Sequence, residues 1–219
     1  MINYIRAVPQ DTRDKILEAA TRLLATSDSR GPSLRAIARE AKVNPALIHY
    51  HFGSRERLFE AAVLLALRPV QERRHELILL LRAEGGPPSS EQLARLFVEP
   101  LLPRSADDTE FHAVQLKLLA RAFAEQRALV QDLTLDHFGD LMQALGELTG
   151  EALPNLSSET KHRRMRFCVQ AALETLSGPE TDAIRNNPAS TAEKDALVGD
   201  LIDFLAGGLD APGGASLSN

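Results

Sequence analysis

The sequence predicts an all-α protein of about nine helices, in which a small N-terminal bundle precedes a larger helical body. Aromatic residues make up only 5% of the 219 residues and tryptophan is absent, a composition that favours helices over sheets. Along most of the chain, apolar residues recur at the three- and four-residue spacing of one helix face. Loop-forming clusters, such as residues 27–32 and 84–90, separate these periodic segments.

Charge is distributed unevenly along the chain. The net charge at pH 7 is −5, but residues 1–57 carry ten Lys and Arg against six Asp and Glu. The remaining residues are therefore strongly acidic. A basic head on an acidic body suits a small anion-binding module joined to a unit with another task. Solvated surface charge alone would give the same count.

Residues 33–59 predict two short helices with a tight turn between them, and then the start of a third helix. Ser33 is placed to cap the first helix, because its hydroxyl can accept from an amide of the first turn. Asn44 is a good cap for the second, and Pro45 takes its first position, where a missing N–H costs nothing. Only Ile48 and Phe52 are needed to dock this helix on a core, so its other face is free to enter a DNA groove.

This segment resembles the helix-turn-helix signature of the tetracycline-repressor (TetR) family. The family pattern is a capped T/S-x-x-x-I-A-x-x-A-x-V helix, then L-x-x-H-F, then x-[ST]-[KR]-E-x-L at the start of a long fourth helix. Two positions depart from it: Lys42 stands where the family usually has glycine in the turn, and His49 replaces a frequent tyrosine. The matching residues are Ser33, Ile37, Ala38, Ala41, Val43, Ile48, His51, Phe52, Ser54, Arg55, Glu56 and Leu58.

The resemblance implies a homodimeric, ligand-responsive transcriptional regulator that binds double-stranded DNA. We expect a repressor that is released from a pseudo-palindromic operator by a small, largely apolar molecule. His51 and Tyr50 resemble phosphate-contacting residues of the family, and Arg55 matches a cation at a helix N-terminus, where phosphate is already favoured. Arg35 is either a groove contact or a solvated charge. The predicted DNA-binding set is Ser33, Arg35, Asn44, Pro45, Ala46, Leu47, His49, Tyr50, His51 and Arg55.

Proline and the loop segments set the expected domain organisation. Pro69 is expected to kink or interrupt the fourth helix near Leu67, because proline lacks the N–H that the helix needs. A bend there would set the angle at which the head leaves the body. The expected units are a flexible arm at 1–10, the helix-turn-helix domain at 11–53, a helical ligand-binding and dimerisation domain at 54–210, and a disordered tail at 211–219.

Two late helices, near 157–177 and 193–206, carry apolar residues on more than one face. A helix that is apolar on two faces is buried on two faces. Because no later helix is left in the chain to cover them, we expect a second copy of the chain to do so. The predicted dimer interface is Phe167, Ala171, Thr175, Leu201 and Leu205.

The body helices also carry more leucine and phenylalanine than single packing seams need. We expect these residues to line an elongated apolar cavity, with a solid core as the alternative at any one position. Charged groups that converge on the cavity are not evident, which favours a hydrophobic or acyl-chain effector. The predicted pocket residues are Leu64, Leu79, Phe97, Leu119, Phe123, Phe138 and Met142.

Other chemistries find little support in the sequence. Cys168 is the only cysteine, which excludes an internal disulfide and offers no metal cluster. His49 and His51 point about 200° apart on a helix, so they cannot share an ion. No phosphate loop or catalytic arrangement stands out, and we predict no enzyme activity, cofactor or metal.

The N-terminus lacks the apolar segment of a signal peptide and no run of 18 apolar residues occurs, so we expect a cytoplasmic protein. The alternative functions are a helical ligand-binding or scaffold dimer without DNA binding, or a helical enzyme.

Overall fold

The computed structural model describes residues 10–27, 31–104, 109–185 and 191–213, and these residues form ten α-helices and one short 3₁₀ turn. The predicted all-α fold is confirmed. The helices are α1 (Gln10–Thr26), α2 (Leu34–Glu40), α3 (Pro45–Phe52), α4 (Arg55–Glu84), α5 (Ser90–Val98), α6 (Thr109–Glu125), α7 (Arg127–Ala152), α8 (Ser158–Ser177), α9 (Pro179–Arg185) and α10 (Thr191–Asp210), with the 3₁₀ turn at Glu99–Leu101.

The head is a three-helix unit whose core reaches beyond its own helices. Ile16 of α1, Ile37 of α2 and Ile48 of α3 are fully buried against one another. Leu58 from the first turn of α4 and Leu118 from α6 complete the same cluster. The head is therefore packed onto the first turns of α4 and onto the middle of α6.

The turn between α2 and α3 closes with two backbone hydrogen bonds. The amide of Val43 donates to the carbonyl of Ala38 at 2.9 Å, and the amide of Lys42 donates to that of Arg39 at 3.2 Å. This pair is a Schellman motif, which places its C′ residue in the left-handed region. Lys42 occupies that position with φ +56°, where glycine is the usual residue.

Of the two predicted effects of Pro69, a kink or an interruption near Leu67, the interruption is wrong, because helix α4 runs continuously from Arg55 to Glu84. Pro69 cannot donate to the carbonyl of Leu65 one turn earlier. The side-chain amide of Gln115, a buried residue of α6, donates to that carbonyl at 3.3 Å. A neighbouring helix thus replaces the donor that proline removes, and α4 continues through Pro69.

Near the end of α5, another carbonyl that a proline leaves without a donor is served by a neighbouring helix. Pro100 lies in the 3₁₀ turn and cannot donate to the carbonyl of Leu96. The buried guanidinium of Arg74, from α4, donates through Nε to that carbonyl at 2.9 Å. Two prolines therefore tie three helices together, since each freed carbonyl takes its donor from another helix.

Helix α6 also holds the C-terminal end of α1. The Nη1 group of Arg121 donates to the carbonyl of Leu24 at 2.9 Å and to the Ser27 hydroxyl at 2.8 Å, and it contacts the Ser27 carbonyl. A cation is favoured at a helix C-terminus, where the last carbonyls carry partial negative charge. Near the start of α6, the carboxylate of Glu110 pairs with Arg22 of α1 at 3.1 Å.

The body core contains residues of α4 to α8 and α10. Helix α10 packs on α5 and continues to Asp210, beyond the predicted end at Ala206, and Leu209 is fully buried. The short helix α9 was not predicted. Most of the predicted arm and tail, residues 1–9 and 214–219, lies outside the described residues.

The left-handed Lys42 gives a stability prediction. Lys42→Gly should raise the free energy of unfolding by about 1 kcal/mol, because glycine adopts positive φ without a Cβ clash. Lys42→Ala removes the same charge but keeps Cβ, and it should give little or no gain. Urea unfolding followed by circular dichroism measures both. An equal gain from the two variants would assign the effect to charge rather than to backbone conformation.

The Gln115 contact gives a second prediction. Gln115→Leu leaves the Leu65 carbonyl without its donor and should cost about 1–3 kcal/mol of unfolding free energy. In a Pro69→Ala background the residue at 69 can donate to that carbonyl, so the same change should cost much less. A double-mutant cycle of urea unfolding measures the difference. Equal costs in both backgrounds would show that Gln115 stabilises the fold by some other contact.

Candidate functional site

Helix α3 presents a free face because two residues suffice to dock it. Ile48 and Phe52, one turn apart, are buried in the head core. Ala46 and His49 are exposed on the remaining surface, and Tyr50 is 72% exposed. A short helix that projects side chains from its outer face has the shape needed to enter a major groove.

The caps fix where this helix begins. The Asn44 side-chain oxygen accepts from the amide of Ala46 at 2.9 Å, and the Ser33 hydroxyl accepts from the amide of Ala36 at 3.1 Å. Pro45 occupies the first helical position of α3, as predicted from its missing N–H. The Ser33 and Asn44 side chains are thus engaged with their own helices, and these bonds fix the first turns of α2 and α3.

The predicted DNA-binding set contains two arginines, and they lie at different places on the head. Arg35 is exposed in the first turn of α2. Arg55 is exposed at the first position of α4, where the hydroxyl of Ser54 caps the helix by accepting from the amide of Arg57 at 3.2 Å. The Arg55 guanidinium packs so closely on Gly31 that a Cβ there would lie 2.6 Å from Nη2. Glycine at 31, with φ +64°, gives the arginine this position.

The two histidines of α3 differ in their surroundings. His49 is exposed, and its Nδ1 lies 3.2 Å from the Gly53 carbonyl. The Nε2 atom of His51 is buried and has no hydrogen-bond partner among the described residues. The Tyr50 ring meets the His51 ring edge-on at 5.2 Å. The predicted phosphate contact therefore does not have Nε2 of His51 available in this conformation.

Further exposed cations surround this surface and were not predicted individually. Arg39 is exposed in the last turn of α2, Lys42 in the turn before α3, and Arg57 just after Arg55. Arg13 of α1 lies over the Phe52 ring, with 5.3 Å between the guanidinium carbon and the ring centre. The positive balance of residues 1–57 was the available sequence signal for these residues, because the motif itself does not include them.

The predicted pocket residues occupy three kinds of environment. Phe97 and Leu119 are buried in the body core, and Leu64, Phe123 and Met142 are partly buried at its edge. Phe138 is also at the edge, at a break in α7 where its backbone leaves the helical region (φ −137°, ψ 27°). Leu79 was predicted to line the pocket but is 59% exposed on the outer face of α4, so this assignment is corrected.

Two cavities lie elsewhere, around residues 101–103 and α10. One is a charged cleft of about 530 Å³ in which Glu76 joins two arginines, Arg73 at 3.0 Å and Arg104 at 2.8 Å. These hydrogen bonds lower the pKa of the Glu76 carboxyl group. The other is a narrower apolar crevice, and both share Leu102, Pro103 and Val198. None of the seven predicted pocket residues lines either cavity.

One charged residue is buried in the body core. Arg74 is only 7% exposed, among core residues of α4 and α5. Burial lowers the pKa of its guanidinium to about 10, so it remains a cation at neutral pH. Cys168 is buried as well, and burial raises the pKa of its thiol to about 11. A thiol that is buried and protonated is a poor nucleophile.

The predicted dimer residues divide between surface and core. Phe167 is exposed, and Ala171 and Thr175 are partly exposed on the same helix, α8. Leu201 and Leu205 instead face the core of their own protomer, because α10 packs on α5. They are therefore not surface residues, and that part of the predicted interface is corrected. Phe204, which the prediction left out, is 74% exposed on α10.

A capped helix-turn-helix with a free second helix, joined to a helical body, defines a DNA-binding transcriptional regulator. Two family descriptions match this chain: "Bacterial regulatory proteins, tetR family" over residues 16–62, and "Tetracyclin repressor-like, C-terminal domain" over residues 95–208. The chain therefore belongs to the tetracycline-repressor family of transcriptional regulators, a family that is not one of enzymes. The first match also covers the opening turns of α4, in agreement with the head packing.

Individual known regulators also match this chain. The chain is 30% identical over 64 residues to the transcriptional regulator UidR of Escherichia coli (29% of this chain, 33% of UidR), and 41% identical over 56 residues to the transcriptional repressor NicS of Pseudomonas putida (25% and 26%). It thus spans about a third or less of these relatives' lengths. A TetR-like regulator from Rhodococcus sp. RHA1 shares the fold, with 21% identity, a TM-score of 0.55, and coverage of 94% of this chain and 100% of that one.

Two further findings concern other kinds of site. No group of three or more His, Cys, Asp or Glu residues in the described part of the chain could hold a metal ion. Within the same residues, no helix is both long enough and apolar enough to cross a membrane.

Proposed function

We propose that this protein is a homodimeric repressor that leaves a pseudo-palindromic operator when a small effector binds its helical body. The observation that carries the proposal is the surface of α3, which is docked by two residues and leaves Tyr50, His49 and Ala46 exposed. In a dimer, two such helices can read half-sites about one helical turn, or 34–36 Å, apart. Exposed arginines beside α3 would neutralise the flanking phosphates.

Helix α6 offers a route by which the body can act on the head. Leu118 is part of the head core, whereas Leu116 and Leu119 of the same helix are part of the body core. A molecule that enters the body and moves α6 therefore also disturbs the packing of the head. The effector can shift DNA affinity only by its differential binding to the two arrangements, commonly about 1–3 kcal/mol of coupling.

The proposed dimer uses the exposed aromatic residues of α8 and α10. Phe204 and Phe167 are among the large apolar side chains that remain exposed in the protomer. The partly exposed Ala171 and Thr175 give α8 a small-residue surface on which a second copy can approach closely. This arrangement keeps the predicted pairing of the two late helices but replaces Leu201 and Leu205 by Phe204.

Arg55 provides a test of DNA binding. Arg55→Ala should weaken binding to DNA from upstream of its own gene and to a scrambled fragment by the same factor, and it should lower the slope of log affinity against log salt by about one. Arg82→Ala is the control, because Arg82 is exposed at the far end of the same helix and pairs with Glu151 at 2.7 Å. Gel shifts at several salt concentrations measure the slope. A loss confined to the upstream fragment would make Arg55 a base contact, and wild-type protein that binds neither fragment would contradict the proposed function.

Phe204 provides a test of assembly. Phe204→Arg should shift the protein from dimer to monomer, because it places a charge without a partner in the proposed interface. Leu135→Arg makes the same change at a leucine exposed on α7, a helix that the proposed interface does not include, and should leave the dimer intact. Sedimentation velocity at micromolar concentration separates the two species. A tight dimer in Phe204→Arg would place the interface on another surface.

A further inference from the structure

The body core contains a cation whose protein partners are all neutral. The Nε group of Arg74 donates to the Leu96 carbonyl at 2.9 Å, and its Nη1 group donates to the side-chain oxygen of Gln71 at 2.5 Å. The guanidinium carbon lies 6.0 Å from the centre of the Phe97 ring. Among the described residues, no carboxylate pairs with this guanidinium. A buried charge without a counter-ion is costly to the folded state.

The fold needs a hydrogen-bond donor at this position, but it does not need a charge. The Leu96 carbonyl requires a donor because Pro100 has none to offer. At the equivalent place on α4, the neutral amide of Gln115 serves the Leu65 carbonyl. A cation near the C-terminal end of α5 gains some stabilisation from the helix dipole, but this interaction does not use the outer amino groups of the arginine.

One amino group of Arg74 and the side-chain amide of Gln71 have no protein acceptor. The Nη2 group of Arg74 and the Nε2 group of Gln71 make no hydrogen bond to the described residues. Gln71 is 4% exposed and Arg74 is 7% exposed, and neither donor atom is fully enclosed by the protein. They lie three residues apart on one face of α4, and the bond between Nη1 and the Gln71 oxygen holds them together. Two adjacent N–H donors beside a positive charge match the two oxygens of a carboxylate.

We propose that Arg74 and Gln71 are the anion-recognition groups of the effector site, and that the effector is an organic carboxylate with an apolar remainder. The inference rests on the proposed function, in which the body binds an effector. Val70, Ile78 and Phe97 belong to the buried cluster in this part of the body, so the surroundings of the two donors are mainly hydrocarbon. The carboxylate supplies the counter-charge that the protein itself does not provide.

A matched pair of variants separates the charge from the structural hydrogen bond. In Arg74→Gln the amide nitrogen is bonded to Cδ, as Nε of arginine is, so it can still donate to the Leu96 carbonyl while the charge and both Nη groups are lost. Gln71→Leu removes the second donor and keeps the charge. Arg68→Gln is the control, because Arg68 is an exposed arginine on the same helix.

The probes are octanoate and benzoate, each compared with its neutral amide by isothermal titration calorimetry on the full chain. Wild type and Arg68→Gln should bind a carboxylate about tenfold or more tighter than the matching amide. Arg74→Gln should lose that preference while its affinity for the amide stays the same, and Gln71→Leu should reduce it. A wild type without any preference for carboxylate, or an Arg74→Gln protein that keeps the preference, would overturn the inference.

Two further readouts make each result decisive. If Arg74→Gln does not fold by circular dichroism, the preference of the wild type and its reduction in Gln71→Leu decide the question. A gel shift on the same samples keeps the two proposals apart. Protein that binds DNA but shows no carboxylate preference retains the proposed function and loses this inference, whereas protein that does not bind DNA loses the proposed function whatever the calorimetry shows.

Discussion

The need of every buried carbonyl for a donor determines how the body of this protein is assembled. Pro69 and Pro100 each remove one helical hydrogen bond, and a buried carbonyl left without a partner is costly. Gln115 from α6 and Arg74 from α4 supply the missing donors at 3.3 and 2.9 Å. These contacts have a fixed direction and a fixed length, so they set the register of α6 on α4 and of α4 on α5 more strictly than apolar packing does.

Helix α6 consequently has a double role in the fold. Its side chains enter the head core at Leu118 and the body core at Leu116 and Leu119, and Arg121 holds the end of α1. The helix-turn-helix packs against α6 of the body as well as against α4. Head and body share two helices, so the two cores are in contact through both α4 and α6.

The features that the sequence predicted well are those decided by neighbouring residues. The caps at Ser33 and Asn44 are found as the pattern indicates, because a cap joins residues two or three positions apart. The docking of α3 by Ile48 and Phe52 follows from their spacing of one turn. The family could be predicted for the same reason, because its helix-turn-helix signature is one continuous segment of the chain.

The features that the sequence did not predict depend on distant residues. Pro69 does not interrupt α4 because its compensating donor lies on another helix, at Gln115. The α10 helix continues to Asp210 because tertiary packing buries Leu209, although two glycines precede it. The outward position of Leu79 and the buried Nε2 of His51 likewise depend on which neighbours pack against them, which periodicity alone cannot determine.

The length of α4 gives the Leu65 contact a mechanical meaning. With 30 residues the helix is about 45 Å long, and Leu65 lies about 15 Å from its start and about 28 Å from its end. If α4 rotates about this contact, it is a lever with unequal arms and a fulcrum near the head. A displacement at Glu84 then arrives at Arg55 reduced by about half, with the force correspondingly doubled. Such gearing trades amplitude for force at the end of α4 that packs in the core of the head.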